Sequence, residues 1–369
     1  MTKKEQSACG PRSTLSFSSV SRRRALMLAS LPVASVLPGC QFLITRFVEP
    51  APPAPPPPPP VPAPVTAATA PSAPVLAPTP PPPPSAALPP PAPAPLVAPD
   101  GSSATYVFES GAHLWVLTRG ALKFHHYLTP EPGGRATAVV VEFADRIWVV
   151  DTLGAPEYGR ELRYYVNTLN KPIARVLFTH EHPDTWSGWS AFSEFPTFTT
   201  RETELFLRNV MPTMPARRDV LAPRLAGVLG HGDERVGNVR VQIRLVRDAE
   251  SAALLTLAFP DQNVFVSSDL IYQKRHAYLG NRQWARWSEQ LNQLPEWIKS
   301  PNTLVLPGHG APADGRAVAE MRRYLSAAQE AFARLKTPQD IENSLRAQFP
   351  DYGGAELLRV GIAHALLRR

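Results

Sequence analysis

The largely apolar run Ile173–Phe178 constrains this chain more than any other stretch. Such a run reads as a strand buried on both faces, the habit of central strands in sheets covered by helices. It stops at Thr179, and His180, His182 and Asp184 follow at alternate positions. Three ligand-type side chains at i, i+2 and i+4, just past a strand end, can converge on one metal ion. Imidazole and carboxylate are the usual ligands of a hydrolytic zinc. Taken alone, two histidines in a polar loop also read as a strand cap. The remainder of the chain decides between the two.

Charge excludes one class of partner. The formal net charge is +7. Residues 1–39 hold Lys3, Lys4, Arg12, Arg22, Arg23 and Arg24 against Glu5, a net +5, which leaves only +2 for everything after them. No basic stripe with interleaved aromatics occurs, so a nucleic-acid partner is not expected. The two cysteines, Cys9 and Cys40, lie outside the part that reads as globular. That excludes a disulfide framework, a thiolate metal site and a cysteine nucleophile there.

The amino terminus reads as an address. Ser21-Arg22-Arg23-Arg24-Ala25-Leu26 precedes a mildly apolar stretch, Ala25–Gly39, which is too short for a membrane span but suits a signal-peptide core. The paired arginines resemble a twin-arginine export signal, and Leu37-Pro38-Gly39-Cys40 resembles a lipobox. These resemblances imply a signal peptide over 1–39 and a lipid on Cys40. They imply an exported cell-envelope protein, anchored at the outer membrane and facing the periplasm, since Gln41 rather than Asp follows the cysteine. Residues 50–99 then hold 25 prolines and no charge. A segment of that kind has little side chain to pack and few backbone donors. Residues 40–104 are thus expected to form a disordered, proline-rich tether, of which 50–99 reaches up to about 150 Å as polyproline II.

From residue 105 to the end the chain reads as one α/β domain. Thr105–Glu109, Leu114–Thr118 and Leu122–Tyr127 read as strands, followed by a pair, Ala138–Phe143 and Arg146–Val150, that ends in Asp151. Pro156–Leu169 has helical spacing and stops at Asn170-Lys171-Pro172. After the buried run, 202–210 reads as a helix capped by Thr200, and 235–246, 252–259 and 263–267 as three antiparallel strands, the last ended by Asp269. An amphipathic helix is expected over 282–299, with Trp284, Trp287 and Trp297 on one face. A strand over 303–306 leads into Pro307-Gly308-His309-Gly310, and helices are expected over 317–335, from Thr337 and over 355–367. Asp151, His180, Asp269 and His309 thus stand at strand carboxyl ends, where α/β sheets gather their ligand sites.

With these elements in order, the chain resembles the metallo-β-lactamase-fold hydrolases over roughly residues 105–320. The motif Thr179-His180-Glu181-His182-Pro183-Asp184-Thr185-Trp186-Ser187-Gly188 matches the family's T-H-x-H-x-D-H-x-G-G hallmark except at two positions, Thr185 for His and Ser187 for Gly. Asp151, Ser268-Asp269 and Pro307-Gly308-His309-Gly310 match its other elements. The resemblance implies a four-layer αββα sandwich of two similar halves, with the metal site at one edge between the β layers. It also implies His180, His182, Asp184, Asp269 and His309 as metal ligands.

Two departures qualify the metal site. Thr185 stands where the family's second-metal histidine belongs, and Glu250 where a distant histidine ligand belongs; His231 reaches that place only with a register shift. Carboxylate is an acceptable zinc ligand, so Glu250 joins the candidates. With one ligand lost from each set, a single zinc ion is expected, held by His180, His182 and Asp269 with Glu250. Asp184 and His309 are the candidate catalytic residues, Asp184 orienting water and His309 ligating or protonating a leaving group. The expected activity is hydrolysis of an ester, thioester, lactone, lactam or phosphoester in a small-molecule substrate. The alternatives are a non-catalytic binding or scaffold lipoprotein and a mono-iron persulfide dioxygenase. His125 and His126, adjacent on a strand, must point to opposite faces and cannot share a site. His276 is a substrate-contact candidate; His113 and His364 read as structural, and Trp186 as pocket wall or packing.

If the lipid anchor exists, Cys40→Ser moves the protein from the membrane pellet to the soluble fraction on cell fractionation. A variant that still sediments with membranes rules out the lipobox.

Overall fold

The computed structural model describes residues 96–97, 103–213 and 223–368. The signal segment, Cys40 and the proline-rich stretch lie outside the described residues, apart from Leu96–Val97. The described part is an α/β fold of two mixed sheets with flanking helices.

The first sheet has nine strands in sequential order: β1 (Leu96–Val97), β2 (Ser103–Val107), β3 (His113–Arg119), β4 (Leu122–Leu128), β5 (Thr137–Glu142), β6 (Ile147–Val150), β7 (Ile173–Leu177), β8 (Thr197–Thr199) and β9 (Gly227–Val228). Up to β6 the neighbours are antiparallel; β6 to β9 run parallel. Helix α1 (Pro156–Thr168) connects β6 to β7, as a parallel pair requires. The short α2 (Pro183–Trp186) and α3 (Arg201–Leu205) follow β7 and β8. The second sheet has six: β10 (Gly232–Val236), β11 (Val239–Arg247), β12 (Ala253–Phe259), β13 (Val264–Tyr272), β14 (Leu304–His309) and β15 (Ala313–Asp314). Its one parallel pair is β13 with β14, joined through α4 (Trp284–Asn292). Helices α5 (Arg316–Arg334), α6 (Pro338–Gln348) and α7 (Ala355–Leu367) complete the described chain.

Strand alternation sorts the apolar residues into three layers. Val139, Val141, Trp148 and Val150 point to the other sheet and meet Leu257, Val264, Val266 and Leu306. Their neighbours Val140, Ile147 and Val149 point outward onto Leu162, Tyr165 and Val166 of α1. On the far side, Ala258, Phe265 and Val305 pack against the helices α4 to α7. The buried strand is more mixed than its reading implied. Arg175 on β7 lies 4.4 Å over the Trp148 ring and pairs with Glu234 at 3.0 Å, so its apolar stem is covered while its charge is matched.

Four elements differ from expectation. The run 235–246 is not one strand. Gly237, at a φ of 59°, turns it into the β10–β11 hairpin. The helix expected over 282–299 ends at Asn292, because Pro295 cannot extend it; a 3-10 turn, Glu296–Lys299, carries Trp297. The segment 202–210 begins as α3, capped as expected by Thr200 accepting from Thr203 N, but widens into a π-helical turn over Phe206–Val210. Strand β13 does not end at Asp269. It runs to Tyr272 through a register shift at Ser268, whose φ of 48° re-aims the residues after it.

Helix α1 rests directly on the loop that carries the histidines. A Cβ on Gly159 would lie 2.4 Å from Gly188 O, and one on Gly188 would lie 2.0 Å from Thr152 O. Replacing a mid-helix glycine by alanine ordinarily stabilises by about 1 kcal/mol. Here the sign inverts: Gly159→Ala lowers the urea midpoint, because α1 must lift from Gly188. A raised midpoint disproves the close contact.

Candidate metal centre

Six candidate ligands come together, drawn from the ends of β7 and β14, from α2, from within β13 and from the β11–β12 connection. His180 and His182 follow β7 and Asp184 lies in α2; Asp269 is in β13 and His309 ends β14. Glu250 lies in the β11–β12 connection after Asp248, whose φ is 54°. Among the described residues these form two overlapping groups that share Asp269. One is His180, His182, Glu250 and Asp269, the other Asp184, Asp269 and His309, and within each the donor atoms lie within 4.8 Å of one another. Glu250 therefore occupies the region the sequence assigned to a missing histidine. His231 does not: it is exposed and meets Leu245 N through Nδ1 at 3.4 Å.

The first group is mostly buried, with the His182 side chain 12% exposed. His180 and Glu250 have fully buried side chains, and Asp269 is 5% exposed. His180 Nε2 stands 3.7 Å from Glu250 Oε2 and 3.6 Å from Asp269 Oδ2, and His182 Nδ1 stands 3.1 Å from Glu250 Oε1. His180 Nε2 and Glu250 Oε2 make no hydrogen bond. Buried polar atoms without a partner are costly, and two facing each other across 3.7 Å fit a shared cation. The donor set, imidazole nitrogen with carboxylate oxygen, also suits a divalent ion such as zinc.

The supporting bonds prepare the nitrogen lone pairs. Thr179 N and Oγ1 both donate to Asp151 at 2.8 Å, and Ser268 Oγ donates to Thr179 Oγ1 at 2.8 Å. The Thr179 hydroxyl has one proton, which goes to the Asp151 carboxylate. Its 3.0 Å contact with His180 Nδ1 must then be accepted from Nδ1–H, leaving Nε2 with a free lone pair. His309 Nδ1 faces Gly134 O at 2.9 Å; a carbonyl only accepts, so that nitrogen carries the proton and Nε2 faces the carboxylates. Asp151 adopts a φ of 63°, backbone strain of the sort that clusters at functional sites.

His309 Nε2 lies 3.0 Å from Asp184 Oδ2 and 3.4 Å from Asp269 Oδ2. Asp184, with 29% of its side chain exposed, is the member of its group that meets solvent. Thr185 takes no part in the ligand set. Its hydroxyl, 2.9 Å from both His180 O and His182 O, turns onto the backbone and clamps the loop. Trp186 is packing: it is buried, and its indole donates to Glu181 O at 2.9 Å.

The sequence reading missed Tyr272. Its hydroxyl donates to Asp269 Oδ2 at 2.7 Å and comes within 3.5 Å of Glu250 Oε1, while its ring stacks on His309 at 4.6 Å. Because β13 was read as ending before it, nothing pointed to it. His276 does not border the site. It is buried, with Nδ1 3.3 Å from Tyr324 OH, and burial lowers it to about 4. His125 and His126 do face opposite ways: His125 meets Tyr165 and Glu142, whereas His126 Nε2 meets Gly310 O.

Charge in the cluster favours cations. Burial alone would lower His182, but the Glu250 carboxylate overrides it and lifts His182 to about 10. His309 is likewise raised, against burial, by Asp269 and Asp184. Asp269, against burial, is held below its usual range by His309 and His180.

Residues 132–309 match the family model described as the metallo-beta-lactamase superfamily, so this stretch is a domain of that superfamily. Among solved structures, a metallo-beta-lactamase from Pontibacter korlensis aligns at 17% identity and a TM-score of 0.46, over 58% of this chain and 99% of that one. The DIM-1 metallo-beta-lactamase aligns at 15%, over 58% and 98%, with the same score of 0.46. The FIM-1 metallo-beta-lactamase from Pseudomonas aeruginosa, in its mono-zinc form, aligns at 17%, over 58% and 96%, again at 0.46. No curated protein matches the sequence.

The raised His182 sets a pH dependence in the metal-free protein. A folded value of about 10 against 6.5 means stability that is full below 6.5 and lost as pH rises towards 10. The melting temperature of chelator-treated protein therefore falls between pH 7 and pH 10, and His182→Gln flattens that slope. An unchanged slope in the variant removes His182 as its source.

Proposed function

We propose that this protein is a metal-dependent hydrolase that holds one zinc ion through His180, His182, Glu250 and Asp269. The observation that carries this reading is the pair of buried, unpartnered atoms, His180 Nε2 and Glu250 Oε2, facing each other beside Asp269. A divalent ion held there supplies Lewis acidity, polarising a scissile carbonyl or phosphoryl group and activating water near neutral pH.

The chain's own groups supply the rest. Asp184, with 29% of its side chain exposed, has one carboxylate oxygen on His309 and a second, Oδ1, that is buried and makes no hydrogen bond. That free oxygen accepts a proton from water and orients it. His309, held by Gly134 O and stacked on Tyr272, passes a proton from Nε2 to a leaving group. Tyr272 steadies Asp269 by donating to Oδ2. The buried side of the site excludes bulk water, so the reaction proceeds at the Asp184 edge. The substrate is a small molecule with an ester, thioester, lactone, lactam or phosphoester bond. We further propose export and lipid anchoring at Cys40, for which the paired Arg22-Arg23 and the Leu37–Cys40 motif are the support.

A second reading has one observation in its favour. Thr185 supplies no ligand to the Asp184–His309 side, which suits a binding or scaffold protein that keeps the fold without turnover. Metal content separates the two. Purified full-length protein analysed by plasma mass spectrometry is expected to carry about one zinc per chain, lost in His180→Ala and Asp269→Ala. Wild-type protein without bound metal ends the hydrolase reading and leaves the scaffold.

A further inference from the structure

The superfamily match ends at residue 309, and helices α5 to α7 come after it. Helix α7 is not merely stacked on the outside. A Cβ on Gly361 would lie 2.6 Å from Leu279 N, so the α7 backbone sits directly on the segment 273–281. Two backbone bonds fasten the same segment to the turn before α7: His276 N donates to Gly353 O at 2.9 Å, and Gly353 N to Lys274 O at 3.1 Å.

The other side of that segment faces the metal centre at three points. Gln273 N donates to His309 O at 2.8 Å. The Tyr278 ring meets the His182 ring edge to face, with centroids 5.2 Å apart. Asn281 Nδ2 donates to Glu250 O. Helix α7 holds two of these three residues by their polar ends. His364 Nδ1 lies 2.9 Å from Tyr278 OH, and Arg368 Nη1 donates to Asn281 Oδ1 at 2.8 Å. Because a guanidinium can only donate, it fixes which end of the Asn281 amide points away and so turns Nδ2 onto Glu250 O.

We propose that α7 is a working part of the metal centre. His364 and Arg368 are positioning residues: they hold Tyr278 and Asn281, which set the orientation of His182 and the placement of Glu250. The inference rests on the reading that these residues bind a metal ion. Partners that orient metal ligands commonly matter tenfold or more to affinity. A C-terminal helix outside the superfamily match thereby tunes the one ligand, Glu250, that departs from the superfamily's pattern.

The test uses full-length protein with His364→Ala, Arg368→Ala and the control Leu367→Ala, whose side chain is exposed on the same helix. Zinc affinity is measured by chelator competition, the visible spectrum is recorded after cobalt loading, and the melting temperature is taken without metal. His364→Ala and Arg368→Ala each weaken zinc binding about tenfold and shift the cobalt spectrum, while Leu367→Ala changes neither. His364→Asn, which keeps a polar atom near the place of Nδ1, restores both. Should His364→Ala lower the metal-free melting temperature, Arg368→Ala, at the exposed end of the helix, decides alone. Wild-type affinity and spectrum in both variants overturn the proposal while the metal reading stands. Wild-type protein that binds neither zinc nor cobalt overturns both.

Discussion

Three carboxylates, Glu250, Asp269 and Asp184, share one mostly buried space with His180, His182 and His309. Burying that much negative charge costs several kcal/mol per unpaired ion, unless cations enter with it. In the metal-free protein the cations are protons, which is why His182 and His309 are pushed up so far against their burial. A divalent ion held by these donors would supply the same compensating charge. The two sheets, the strained turns at Asp151 and Ser268, and the layers of helices are arranged to hold this cluster together.

The arrangement depends on two of the parallel strand pairs, one from each sheet. The β6–β7 pair brings Asp151 beside Thr179, and the β13–β14 pair brings Asp269 beside His309. Facing edges of the sheets then meet through Ser268 and Thr179, residues 89 apart in the chain. Close approach is secured where side chains would obstruct it. A Cβ on Gly308 would lie 1.9 Å from Asp269 Oδ1, so only glycine lets β14 pass the carboxylate. The same logic recurs at Gly188, which lies under α1, and at Gly361, where α7 itself sits on Leu279.

Much of this was legible in the sequence because the ligands sit at strand ends, and strand ends show as changes of composition. Asp151, His180 and His309 come at or just after the ends of apolar runs, and the family resemblance led to Glu250. Asp269 was found for a partly mistaken reason: the strand does not stop there but bends, and the bend comes from Ser268 rather than from a turn residue. Tyr272 stayed hidden because its role exists only once β13 continues beside β14. His276 was read towards the site because seven residues of chain separate it from Asp269. In space that chain turns back under α5, where Tyr324 meets it. Local pattern records which residues lie on a strand, whereas the partner of a loop residue is set by chain far away, as Arg368 is to Asn281.

The two departures from the superfamily pattern act in one direction. Thr185 removes a neutral imidazole from the Asp184 side and spends its hydroxyl on the carbonyls of His180 and His182. Glu250 adds an anion on the other side, among His180, His182 and Asp269. Together they make the two halves of the centre unequal. One half has four donors and is mostly buried; the other has three donors and opens further to solvent at Asp184. Ligand number favours the first half as the place for a single ion. Asp184 and His309 stand 3.0 Å apart, within reach of proton transfer. What looks in the sequence like a damaged two-metal site is, in this arrangement, a pair of unequal donor groups that share Asp269.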